Sequence, residues 1–237
     1  MTTTTMTDAQ PLDAASLARL MAWLSPAYPV GAYTYSHGIE WTVECGAIRD
    51  ADALGTWLED ILRHGGGWTD AVLLAMAWRA AWAGDDSGLL DCAELAAAFV
   101  PTSERRLETL AQGDAFMAAT LAAWPCPVLD RLYALRPRDI AYPVAVGVAA
   151  AGHGIGLSAT VHAYLHAVTA NLVSAGIRLI PLGQTAGQKL IARLAPTVAE
   201  VAEHALAASA DDLGGGALQA DIASAHHETQ YSRLFRS

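Results

Sequence analysis

The sequence predicts an all-α fold, a single-domain bundle of about ten helices, and three observations predict it. Apolar residues recur near the helical period of about 3.6 along most of the chain. No stretch alternates apolar and polar residues between hairpin turns. Proline and glycine punctuate Ala- and Leu-rich segments at intervals that suit helices joined by short loops. No Gly/Ser- or Pro-rich linker divides the 237 residues, so one domain is expected.

Residues 1–11 are polar and read as a disordered N-terminal tail, leaving 12–237 as the helical domain. Asp13 is placed to N-cap a first helix with a stripe of Leu17, Leu20, Met21 and Leu24. After a Pro/Gly-rich loop, a second helix is expected from about Tyr35 to Cys45, stopping at Gly46. Asp50 or Asp52 opens a third, carrying Leu54, Trp57, Leu58, Ile61 and Leu62, which Gly65-Gly66-Gly67 ends. Those glycines are not a phosphate loop, because neither a preceding strand nor a following Gly-Lys-Ser/Thr is present. Thr69–Trp82 and Leu89–Val100 read as helices; the next starts at Thr102 or Ser103 and runs to about Trp124. Pro125-Cys126-Pro127 breaks the chain before a short helix over Leu129–Leu135. Ile140–Ala151 is apolar throughout and expected to be buried. A long helix is expected from Gly156 to Ile180, and another from Thr185 to Ala208 with a kink before Pro196. A terminal helix or tail from about 219 to 237 closes the chain.

Composition narrows the function. Hydrophobic residues make up 53% and charged residues 16%, against roughly 25% charged in an average soluble protein. So few charges predict apolar surface covered by a second copy or another protein. A net charge of −10 argues against nucleic acid and anionic membrane as partners. Cys45, Cys92 and Cys126 are odd in number and widely spaced, which fits a reducing cytoplasm. The N-terminus lacks the basic-then-apolar pattern of a secretory signal. The most apolar run, Val144 to Val161, is broken by glycines and by His153, too often for a spanning helix.

Few residues point to catalysis. His162 and His166 stand four apart on one helix face, a spacing at which two imidazoles can share a divalent metal. No Glu follows His162, so the metalloprotease pattern fails. His226 and His227, beside Glu228, form a second metal candidate, with a solvated helix face as the plainer reading. No Gly-x-Ser-x-Gly elbow occurs. An enzymatic reading would be a small metal-dependent helical hydrolase using His162, His166 and a distant carboxylate.

Two stretches point instead to binding. Ser25–Glu40, SPAYPVGAYTYSHGIE, packs two prolines, two glycines and three tyrosines into sixteen residues. The prolines stiffen it, and aromatics on a stiff loop suit either a kinked link that caps a core or a set of binding anchors. The tail ends in Tyr231, Ser232, Arg233, Leu234, Phe235, Arg236 and Ser237. It is rich in interface residue types, and either orders on a partner or docks back on its own core.

The loop pattern SPxxPxGxYxYSxGxE resembles the N-terminal signature of the urease accessory protein family UreF. Two further stretches resemble the same family in the same order: Tyr142 through Pro181-Leu182-Gly183-Gln184, and His227-Glu228-Thr229-Gln230-Tyr231-Ser232-Arg233-Leu234-Phe235-Arg236-Ser237. Tyr28, Tyr33 and Ile39 depart mildly from the usual residues and keep their size and polarity. The resemblance implies an all-helical, cytoplasmic homodimer that is not an enzyme. It implies a chaperone-like maturation factor that binds the accessory protein UreD (also called UreH) and recruits the GTPase UreG. Together they would deliver nickel to the urease apoprotein, with no cofactor held stably. By motif match, Tyr231, Ser232, Arg233, Leu234, Phe235 and Arg236 would face UreD. Tyr33, Tyr35, Ser36 and Glu40 would lie near the UreG-recruiting surface, a face separate from the first.

Overall fold

The short apolar helix Tyr142–Gly152 sits at the centre of the bundle, with Val144, Val146 and Val148 fully enclosed. A helix that is apolar all round has no solvent face, so it must be wrapped on every side. Each enclosed valine contributes roughly 1.5–3 kcal/mol relative to exposure. In this computed structural model, which describes residues 12–236, it is the eighth of eleven α-helices. In order these are α1 (Ala14–Trp23), α2 (Ile39–Glu44), α3 (Ala51–His64), α4 (Gly66–Ala83), α5 (Asp86–Ala98), α6 (Ser103–Ala123), α7 (Pro127–Leu135), α8, α9 (Leu157–Leu179), α10 (Gln184–Ala207) and α11 (Leu218–His227). Short 3-10 turns lie at Ala32–Thr34 and Ala210–Asp212, and no strand occurs among the described residues. The tail expected over 1–11 lies outside the described residues, as does Ser237.

Helix α4 makes the largest contact with α8, and α6, α7 and α9 complete the wrap. Small residues bring these helices close. At Gly113 in α6, a Cβ would stand only 1.8 Å from the carbonyl oxygen of Ile140, just before α8. Helices α9 and α10 pair along their length, and α3 lies across α10. Among the described residues, no helix is long and apolar enough to cross a membrane.

Sequence expectations and structure part in three places. Helix α1 buries Ser16, Leu20 and Trp23 and exposes Leu17 and Met21, because the large Trp23 ring takes the core position and turns the helix. Helix α2 begins at Ile39 rather than Tyr35. Tyr35 is extended, and His37 and Gly38 both have positive φ (52° and 77°), which a right-handed helix does not admit. Gly65 ends α3 as expected, but α4 begins at Gly66 rather than Thr69, so the other two glycines lie in its first turn. Pro196 lies inside α10, which runs through it as one helix, as expected. Elsewhere the caps fall where the sequence places them: Asp13, Asp50 and Thr102 accept from the backbone N–H groups of Ser16, Ala53 and Arg105.

Candidate partner-binding site

The tail docks back on its own chain, and it docks on the tyrosine loop. Glu40, in the first turn of α2, accepts from the backbone N–H groups of Leu234 (2.6 Å) and Phe235 (2.8 Å). The Arg236 N–H donates to the Thr34 carbonyl at 2.8 Å. Arg233 donates to Glu104 of α6 at 2.9 Å. The Phe235 ring is only 4% exposed and lies under the Arg178 guanidinium, 4.4 Å from its centroid. Arg178, at the end of α9, also donates to the Tyr33 carbonyl at 2.7 Å. Loop and tail are therefore two sides of one seam, not two separate faces.

Beneath the seam lies His227, fully buried at the end of α11. Its Nδ1 stands 2.8 Å from Glu104 and its Nε2 3.1 Å from Glu40. The loop reaches this point because Gly38 lets α2 press on α11, where a Cβ would meet the Ser224 nitrogen at 2.8 Å. Ser224 in turn shares a 2.8 Å hydrogen bond with Thr102, the cap of α6.

This arrangement sorts the predicted site residues. Tyr35, Ser36, Glu40 and Phe235, predicted at a partner surface, are buried. Ser36 accepts from the Glu40 N–H at 3.4 Å, and Glu40 is taken up by the tail. Facing solvent are Tyr33 (58% exposed), Leu234 (68% exposed), the fully exposed Tyr231, and Ser232, Arg233 and Arg236. Tyr28 packs inward, its hydroxyl 2.8 Å from Thr120. The solvated face read for His226 and His227 holds only for His226, which stacks on Trp41 at 4.6 Å.

The metal candidates do not converge. His162 turns Nδ1 to the Ser158 carbonyl (2.9 Å), with Nε2 3.9 Å from Glu203, while His166 is exposed. Among the described residues, no three His, Cys, Asp or Glu side chains are grouped to hold a metal.

A second buried polar group was not singled out by sequence. Glu108 of α6 bonds His37 (2.9 Å), Gln112 (2.9 Å) and Arg105. Burial alone would push its carboxyl up, but Arg105 and then His37 outweigh it and hold it at about 2. Asp70 of α4 accepts from the Tyr164 hydroxyl at 2.8 Å, and burial raises its pKa despite the nearby Arg105. Beside this group lies a cavity of about 370 Å³ that runs past Phe99 and Pro101 to Asp221 and Ser224 of α11. The i,i+3 pair Arg105–Glu108, with Gln112 on the same face of a helix, was its sequence signal.

The comparisons with known proteins agree with one another. The sequence profile of the UreF family matches residues 48–195. A protein of Rhodopseudomonas palustris strain TIE-1, called urease accessory protein UreF, is 55% identical over the whole of both chains. One of the same name from Bradyrhizobium diazoefficiens is 54% identical over 95% of this chain and 93% of its own. Another from Methylorubrum populi is 53% identical over 92% of this chain and 98% of its own.

Proposed function

The chain belongs to the UreF family of urease accessory proteins, and from that premise we propose that it serves urease maturation as a binding protein. It would bind UreD (UreH) and recruit the GTPase UreG, so that nickel reaches the urease apoprotein. The observation that carries this reading is the seam. Its buried residues fix the backbone, and among its exposed ones Tyr33, Tyr231 and Leu234 are large apolar or aromatic groups displayed from that backbone before any partner arrives. Such groups bind well because little conformational freedom is left to lose.

Co-purification with UreD and UreG, with and without GTP, tests the proposal. Tyr33→Ala removes an exposed ring without touching the core, and capture of UreG should weaken by about 1–3 kcal/mol. Unchanged capture by that variant would remove the loop from the recruiting surface.

The chain also dimerises in this reading. Leu17 and Met21, four apart on one side of α1, are both exposed and offer a second copy an apolar surface. Light scattering should return about twice the 24.8 kDa chain mass at micromolar concentration. A mass near 24.8 kDa under those conditions would refute self-association.

A further inference from the structure

The geometry points to His227 as the positioning residue of the seam: a doubly protonated imidazole that pins the tail to the tyrosine loop and so sets the surface that a partner reads. The inference rests on the seam being that surface. His227 has no solvent contact, and each ring nitrogen faces a carboxylate oxygen, Glu104 at 2.8 Å and Glu40 at 3.1 Å. A carboxylate only accepts, so both bonds form only when both ring nitrogens carry protons. The charged groups that meet here come from three elements: Glu40 of α2, Glu104 of α6 and Arg233 of the tail. With an imidazolium at the centre, two negative charges meet two positive ones. With a neutral ring, one nitrogen lone pair would point at a carboxylate and the buried cluster would hold one uncompensated negative charge, a costly arrangement.

The same carboxylates hold the tail. Glu40 receives the Leu234 and Phe235 N–H groups and Glu104 receives Arg233. His227 thus fixes the two acceptors on which the tail is hung. Its hydrogen bonds run to these carboxylates, and through Glu40 it is linked to the backbone that carries Leu234.

Two measurements on the full chain test the inference. In nitrogen NMR of histidine-labelled protein, the His227 ring should show both nitrogens protonated; a single neutral tautomer overturns it. In hydrogen exchange, His227→Gln should lower protection of the Leu234 and Phe235 amides by about 10- to 100-fold, with α4 and α8 amides unchanged as the control for folding. Glu104→Gln, which leaves the acceptor of those two amides in place, should act in the same direction. Unchanged tail protection in both variants overturns the pin. If the tail loosens and UreG capture persists, the pin stands and the assignment of this surface to UreG falls.

Discussion

Glu108→Ala should cost about 3–5 kcal/mol of folding free energy, the loss typical of breaking a buried ion pair from one side. Native domains hold only about 5–15 kcal/mol in total, so the variant stands near the edge of unfolding. The reason is what stays behind. Arg105, His37 and Gln112 all direct polar groups at Glu108, and its removal leaves the Arg105 charge without its buried partner. Tyr164→Phe, which removes one hydroxyl from Asp70, should cost nearer 1 kcal/mol. The pH dependence has a definite sign. A carboxyl held at about 2 in the fold, against 4.5 as its ordinary value, stabilises fully above 4.5, and that contribution is lost as pH falls from 4.5 toward 2. Asp70 runs the other way: burial raises its pKa, so protonation favours the fold. Urea midpoints across this range should fall with acid in the parent chain and fall less steeply in Glu108→Ala. Equal slopes in the two proteins would show that Glu108 is not the group responsible.

Deleting residues 232–237 should abolish capture of both UreD and UreG and leave the far-UV helical signal unchanged. The deletion takes Phe235 from under Arg178, two amides from Glu40 and a guanidinium from Glu104. It removes no helix, since α11 ends at His227. Phe235→Ala is the subtler version. A Phe removed from a rigid core costs about 3–5 kcal/mol, but a tail can let go, so the global loss is capped by the free energy of docking. Thermal stability should therefore change little while partner capture is lost. Undiminished capture by the deleted chain would remove the tail from the recognition surface.

Most helices were legible because caps and periodicity are local signals. Asp13, Asp50 and Thr102 announced their helices within three or four residues. Helix α1 was misoriented because Leu17 and Met21 match the period as well as Leu20 does, and only the space available to Trp23 decides between faces. The start of α2 was hidden by the positive φ of His37, which no local pattern marks. Of the candidate site, the motif residues were legible but their roles were not. His227 reads as one of two solvated histidines, because its partners Glu104 and Glu40 are 123 and 187 residues away. Whether Tyr33 or Tyr35 points outward likewise depends on tail residues that pack against the loop.

The seam also ties recognition to the order of synthesis. Glu40 leaves the ribosome early, yet its amide partners lie 194 and 195 residues downstream. Until they arrive the loop carries a carboxylate with nothing to hold, and contacts of such long range form late. A chain broken off late in that interval keeps most of its helices but has no finished surface to offer. Partners that read Tyr33 and Leu234 together would pass over such fragments, so an interrupted product could not take the place of a finished chain.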